Sequence, residues 1–360
     1  MTTRYALIGS GMMGQEHIRN IALLPDARVV AVADPDEGMR ESAARLAGEG
    51  CRAFADYRAI LSAGLADVLL IASPNHTHAG ILADVMPSNL PILAEKPVIT
   101  DWADAARLRA LAEGRSAPLW VAMEYRYMAP VARLVQAVHG GEIGRLKMLA
   151  IREHRFPFLK KVGDWNRFSQ NTGGTLVEKC CHFFDLMRLI TESEAVRVYA
   201  SGAMDVNHVD ERYGGRQPDI LDNAFVTVDF ANGVRAMLDL CMFAEGTYFQ
   251  EDIAATGDKA KVEARCPGPA RFWPGHVERE AEVVISDRET KRQVREVPKV
   301  DEAILKVGDH HGSTYFQHAR FLEIVRKGGR PEVGLEDGLA AVRIGLAAEE
   351  SARSGEVVRF

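Results

Sequence analysis

Residues 5–21 read YALIGSGMMGQEHIRNI, an apolar run that meets Gly9, Gly11 and Gly14 and then turns into a helical pattern. No other feature restricts the fold as strongly. Between a strand and a helix, each glycine has a separate reason. Gly9 permits the tight turn, Gly11 leaves the backbone open to close approach, and Gly14 lets helix and strand pack together. A helix N-terminus there offers free N–H groups and the positive end of its dipole, which suits a phosphate. The next apolar strand, Val29–Ala33, ends in Asp34, about 20 residues past Gly14 as a dinucleotide site requires. A carboxylate at that strand end accepts hydrogen bonds from both adenosine ribose hydroxyls and repels a 2′-phosphate. The expected cofactor is therefore NAD, with Gly9, Gly11, Met12, Met13, Gly14 and Asp34 as binding candidates.

The first third of the chain keeps alternating. Apolar strands at Val68–Ala72, Ile92–Ala94 and Leu119–Ala122 are separated by helical stretches, the pattern of a parallel sheet covered on both faces. In such a sheet ligands lie beyond the carboxyl ends of the strands. Two of those ends carry polar groups: Ser73, Asn75 and His76 after one, Glu95 and Lys96 after the next. A lysine there can donate to a substrate oxygen, and with a lowered pKa it can relay a proton. The pattern then changes. Strand-like runs at 146–152, 195–202, 224–230, 234–243, 252–256 and 282–286 follow, with Asn232-Gly233 as a hairpin signal between two of them. The reading is an α/β chain: an N-terminal Rossmann domain, a doubly wound parallel sheet, over 1–124, then a C-terminal α/β domain with a large open, mainly antiparallel sheet over 125–360. Helices at about 313–326 and 335–354 cover that sheet or pack back on the first domain.

With 360 residues the chain is long enough for about two domains. Lys and Arg total 44 against 50 Asp and Glu, a net charge of −6, which argues against nucleic acid or an anionic membrane as partner. No apolar run reaches the ~18 residues of a membrane span, and no targeting signal opens the chain, so a cytoplasmic location is expected. The five cysteines are irregularly spaced and do not suggest a disulfide framework. Cys180 and Cys181 read as small buried hydrophobes.

The run LVEKCCHFFDLMRLI, residues 176–190, reads as a helix apolar nearly all round, with Glu178, His182 and Asp185 as one polar stripe. A buried Glu–His–Asp network can be structural. Together with Lys96 and the glycine loop, catalysis at Glu178 and His182 is the better account, with His182 taking a hydroxyl proton near neutral pH. Asp185 stays open between substrate support and structure. Zinc at Glu178, Cys181 and His182 is rejected because adjacent helical positions diverge, and no metal is expected. Ahead of this run lies a basic cluster, Arg152, His154, Arg155, Lys160, Lys161 and Arg167, with Trp165 and Asn166 between. It suits an anionic group beside an apolar ring face, or it is a solvated loop. His311, after His310, can reach the cleft or cap the next helix.

Together, Gly9–Gly14, Asp34, ASPNHTHA, AEKPV, YRYMAP, GEIGRL, GGTLVEKCCHFFDLM and the tail FLEIVRKGGRPEVGLEDGLAAVRIGLAAEESARSG resemble the Gfo/Idh/MocA oxidoreductases. That resemblance implies NAD(P)-dependent hydride transfer at a sugar or polyol carbon, and a dimer or tetramer formed through the open sheet. Lys96 matches the catalytic lysine of the Glu-Lys-Pro motif, and Glu95 and Asn75 match positions near the nicotinamide ribose. The family often has Asp where this chain has Glu178. The expected activity is oxidation of a secondary hydroxyl of a sugar, sugar derivative or cyclitol, with a Lys96/His182 proton relay. Substrate-binding candidates are Tyr127, Arg155, Lys160, Trp165, Asn166, Arg167, Glu178, His182 and His311. The alternative is an NAD-dependent glycoside hydrolase that oxidises, eliminates, hydrates and reduces, acting on an anionic glycoside such as a sulfosugar. It needs one more base, for which Glu178, Tyr127 or His154 is available. A non-catalytic NAD-binding regulator leaves the Glu-Lys-Pro motif, Glu178 and His182 without a purpose.

Overall fold

Strand β1 (Thr3–Ile8) is apolar on both faces and lies between β2 (Ala27–Ala33) and β4 (Val68–Ile71) in the computed structural model, which describes residues 2–360. With β3 (Arg52–Phe54), β5 (Ile92–Ala94) and β6 (Leu119–Val121) they form a six-stranded parallel sheet in the order β3-β2-β1-β4-β5-β6. The order reverses between β1 and β4, so the crevice opens at the carboxyl ends of those two strands. Gly9 sits at that end with φ +89, and a Cβ on it would lie 2.4 Å from the Ser73 nitrogen. Gly14 has the same constraint, since its Cβ would lie 2.5 Å from the Gly9 oxygen. The turn and the helix Met12–Ala22 can approach the sheet only with glycine at both places.

The second sheet has nine strands. They are β7 (Leu146–His154), β8 (Ala195–Ala203), β9 (Asn223–Phe230), β10 (Arg235–Cys241), β11 (Glu251–Gly257), β12 (Ala260–Cys266), β13 (Glu282–Asp287), β14 (Gln293–Glu296) and β15 (Val358–Arg359), in the order β14-β13-β12-β11-β7-β10-β9-β8-β15. Only β7 and β10 pair in parallel; the other neighbours are antiparallel. The β9–β10 hairpin turns at Asn232-Gly233, where Gly233 has φ +84 and the Phe230 N–H donates to the Val234 oxygen. Strand β9 alternates strictly between buried and open positions, the mark of a sheet covered on one face. The uncovered face carries Met148, Tyr199, Phe225 and Met237, all exposed and apolar.

The two tail helices join the sheets. The helix Ser313–Lys327 places Phe321 edge-on to Trp120, with ring centroids 6.0 Å apart. The helix Leu335–Ser354 lies against β6 through Gly338, against the helix Thr175–Glu178 through Gly345, and against β8 where Ser351 Oγ accepts the Ala200 N–H. A Cβ on Gly345 would stand 2.6 Å from the Leu176 oxygen. The expected helix over residues 176–190 is broken. One piece ends at Glu178, the other runs Cys181–Thr191, and the chain turns at Lys179 and Cys180. No helix among the described residues is long and apolar enough to cross a membrane.

Gly345→Ala will lower the melting temperature, since overpacking against fixed backbone costs ~1–3 kcal/mol. Gly80→Ala, also helical but with nothing within 4 Å of its Cβ, will leave the melting temperature unchanged or raise it. Calorimetry of the two variants checks the difference in sign.

Candidate active site

A cleft of about 960 Å³ runs along the carboxyl edge of the parallel sheet and is closed from the other side by residues of the second domain. Gly9, Gly11, Met12, Met13, Asp34, Ser73, Asn75, Glu95 and Lys96 line it. Gly14 does not, because its role is packing under the turn. Asp34 is locked at its strand end: Oδ2 accepts the Ser10 N–H at 2.8 Å and Oδ1 accepts the Asp36 N–H at 2.9 Å. Gly11 is the informative glycine. A Cβ there would meet no protein atom within 4 Å, so packing does not call for glycine, and the space opens into the cleft. The residues present therefore fit a dinucleotide, with its pyrophosphate at the start of the helix Met12–Ala22 and its ribose at Asp34.

Lys96 enters the cleft from the end of β5. Its Nζ donates to the Glu178 carbonyl oxygen at 3.0 Å, across the domain boundary. Burial works against its charge, but the field of Cys181, Glu124, Glu95 and Glu178 outweighs burial and raises its pKa. It is thus held as a donor, whereas the sequence expectation allowed a lowered pKa. Glu95 is itself fixed, with Oε1 2.9 Å from His17 Nε2 and Oε2 accepting the Lys96 N–H at 3.2 Å. His17 Nδ1 in turn meets His318 Nε2 at 2.8 Å.

His182 and Glu178 both line the cleft, but they are not hydrogen-bonded to each other. Burial, then Lys96, Lys179, His310 and Arg155, drive the His182 pKa well below the ordinary imidazole range. The ring is a neutral acceptor, stacked on Tyr125 with centroids 4.2 Å apart, and its Nδ1 has no partner. Glu178 Oε2 is likewise buried and unpartnered. Burial raises the Glu178 pKa against the opposing charges of Lys96, Lys161, Arg155 and Arg167.

The basic cluster divides. Arg155, Lys160, Lys161 and Trp165 line the cleft. Asn166 and Arg167 turn inward, Asn166 donating to the Leu159 oxygen at 3.0 Å and Arg167 to Glu211 at 2.9 Å. The chain reverses at Gly163 and Asp164, both with positive φ, and this sends neighbouring side chains to opposite sides. Tyr127 is buried away from the cleft and donates to Glu332 at 3.1 Å. His311 bonds the Pro267 oxygen at 3.0 Å, and His310 lines the cleft in its place. His76, expected at the cofactor, does not line the cleft and lies against Trp165 instead, with centroids 6.0 Å apart. His154 pairs with Asp239 at 3.1 Å and does not line the cleft. Asp185 is fully buried against Arg126, which takes both its oxygens at 2.5 Å, a structural ion pair whose disruption costs ~3–5 kcal/mol. Among the described residues no group of three His, Cys, Asp or Glu is arranged to hold a metal.

Sequence reasoning passed over Glu124, Tyr125 and Lys179, which also line the cleft. Glu124 follows β6 and is buried; burial and Glu95 push its pKa up to about 7. Lys179 Nζ lies 2.9 Å from Glu153 and 2.5 Å from the Tyr125 oxygen.

Gly11→Val will leave the melting temperature of the free protein unchanged and weaken NAD binding at least ~10-fold, because the added atoms occupy only ligand space. Calorimetric titration with NAD checks it.

Two family models cover nearly all of the chain: the NAD-binding Rossmann fold of the oxidoreductase family over residues 3–123, and the C-terminal alpha/beta domain of that family over residues 135–360. The chain is 27% identical over 359 residues to a myo-inositol 2-dehydrogenase of Thermotoga maritima, covering 99% of this chain and 98% of the relative. It is also 27% identical over 354 residues to an inositol 2-dehydrogenase of Rhizobium meliloti, covering 98% and 97%. In fold it resembles a myo-inositol dehydrogenase from Corynebacterium glutamicum, with a TM-score of 0.77, 24% identity and coverage of 100% and 99%. Both halves of the match, and the cleft that lies between the two sheets, make this chain an NAD-binding oxidoreductase of the Gfo/Idh/MocA family.

Proposed function

We propose that this cleft oxidises a secondary hydroxyl of a sugar, sugar derivative or cyclitol. The observation that carries the reading is Lys96, a charged donor held at the carboxyl end of β5, in one cleft with a neutral, acceptor-competent His182 and the glycine loop. NAD bound along the glycine loop supplies the hydride acceptor. Lys96 donates to the reacting oxygen and steadies its developing charge, and His182 accepts the hydroxyl proton. The full-length relatives that act on inositol support a ring polyol as substrate.

The cleft also supports an anionic substituent on that ring. Lys160 and Lys161 both line the cleft and make no salt bridge among the described residues; Lys161 is half-buried, and burial lowers its pKa against the opposing charge of Glu178. A half-buried cation with no carboxylate in direct contact favours a ligand carboxylate, sulfonate or phosphate. Trp165 offers an apolar ring face beside it.

Glu178 supports a second reading. A buried carboxyl with a raised pKa and a free oxygen is more than hydroxyl oxidation needs. It suits removal of a carbon-bound proton next to the oxidised carbon, with loss of an aglycone, as in a redox-cycling glycoside hydrolase. The uncovered face with Met148, Tyr199, Phe225 and Met237 supports a homodimer or homotetramer.

Purified protein incubated with NAD and a panel of cyclitols, free sugars and aryl glycosides of neutral, carboxylated and sulfonated sugars separates the readings. NADH is expected mole for mole with a free polyol. Aglycone release that requires NAD but leaves no net NADH selects the hydrolase instead. Lys96→Met and His182→Asn will each lower kcat by ~10²–10⁴-fold, and full activity in either variant removes that residue from the relay. Lys161→Ala will raise KM for the anionic member of a substrate pair by ~10-fold or more and leave the neutral member nearly unchanged. Phe225→Glu will shift the light-scattering mass toward the single protomer; an unchanged mass excludes this face as the interface.

A further inference from the structure

His182 cannot keep the proton it takes. Burial and four neighbouring cationic side chains, Lys96, Lys179, His310 and Arg155, all oppose an imidazolium at this place. Lys96 cannot receive it either, because the ammonium already carries its full set of protons. The relay therefore needs a further acceptor within reach of the ring. Glu178, the expected partner, makes no hydrogen bond to it. Glu124 lies closer: its Oε1 is 3.6 Å from His182 Nε2, an ion-pair distance just beyond hydrogen-bond reach, and its Oε2 is buried with no partner. Contacts of this kind are commonly long in a ligand-free enzyme and tighten in the substrate complex.

We propose that Glu124 is the positioning residue that holds His182 by Nε2 and takes over the proton that the ring removes from substrate. This rests on the reading that His182 accepts that proton. In the step, the substrate O–H bond breaks, its electron pair stays on oxygen as the hydride leaves the same carbon for NAD, and the proton joins the imidazole. The N–H proton then passes to the Glu124 carboxylate, and the ring is neutral again. The carboxyl, which lines the cleft, then returns the proton to water there.

The surroundings of Glu124 suit that task. Glu95 and Lys96 face it from the end of β5, Cys181 and His182 from the helix Cys181–Thr191, and His310 from the segment before Ser313. Burial and Glu95 raise its pKa to about 7, while His310 and Lys96 limit the rise. Cys181 is pushed up to about 12 by burial and stays a neutral thiol. His310 is drawn toward the charged form by Glu16 and Glu124 in spite of its burial. A carboxyl balanced near neutrality is ionised often enough to accept a proton and protonated often enough to hold one. Below pH about 7 it is already protonated and the path is blocked, so activity rises with pH through that value.

Two measurements test this. In protein labelled with 15N-histidine, the His182 ring signals, assigned by their loss in His182→Asn, should step near pH 7 in the native chain and lose that step in Glu124→Gln. With the polyol that reduces NAD, log kcat should fall on the acid side of about pH 7. Glu124→Gln should remove that limb and lower kcat by ~10-fold or more with KM little changed, and Glu124→Asp should restore a limb at a shifted pH. A ring step that survives unchanged in Glu124→Gln overturns the proposal whatever the activity. An unchanged pH limb in Glu124→Gln, with His182→Asn inactive, overturns it and leaves the proposed function standing. Full activity in His182→Asn strikes both.

Discussion

The hydrogen bond from Lys96 Nζ to the Glu178 carbonyl oxygen ties the parallel sheet to the domain that covers it. It links the carboxyl end of β5 to the end of the short helix Thr175–Glu178, so Lys96 and the second domain share one position. On one side of that link, the His318–His17–Glu95 chain of buried contacts fixes the strand end. On the other, the turn at Lys179 and Cys180 redirects the backbone so that Glu178 and His182 enter the cleft from different helices. A half-buried lysine is tolerable here because its donor is satisfied and carboxylates surround it. The same contacts that make the residue affordable also aim it.

One desolvated pocket therefore gives three different answers to the same burial. Lys96 is surrounded by acidic groups and is held charged. His182 faces cations and is held neutral. Glu124 faces both signs and is left near balance. Such divergence among neighbouring titratable groups is what the proposed division into donor, acceptor and reservoir requires. Lys161 and Arg155 add positive field in the same cleft, where they oppose the rise of the Glu178 pKa.

Much of this was legible in the residues. The period-two and apolar runs located most of the long strands of both sheets, and the Asn-Gly turn located the β9–β10 hairpin, because these patterns are enforced by burial on a pleat; β12 (Ala260–Cys266) was passed over, although its burial alternates in the same way. The glycine turn and Asp34 were legible because the backbone geometry admits few other residues there. Glu124 was overlooked although the same rule reaches it: it follows β6 at the edge that carries Ser73 and Lys96. The directions of Tyr127, Asn166, Arg167 and His311 were not legible. Each is decided by a distant partner, Glu332, Leu159, Glu211 or Pro267, and by the positive-φ reversal at Gly163 and Asp164. The break at Lys179 was hidden as well, since 176–190 is apolar enough to read as one helix.

The precision of the site comes in the end from the tail of the chain. Glu349, on the helix Leu335–Ser354, accepts the Leu176 N–H at 2.8 Å and so grips the first turn of the segment that presents Glu178. The fit admits no side chain at Gly174, which has φ +94 and whose Cβ would fall 2.2 Å from Glu349 Oε1. Burial pushes the Glu349 carboxyl up to about 7, against the pull of the Leu176 N–H, and the helix keeps it there because Gly345 lets the two backbones touch. Loops alone seldom hold a donor and an acceptor to the tolerance that proton transfer needs. Here a twenty-residue helix does it from outside. It anchors on β6 through Gly338 and on the Glu178 segment through Gly345 and Glu349, so Lys96 and its carbonyl partner are referenced to the same rigid element.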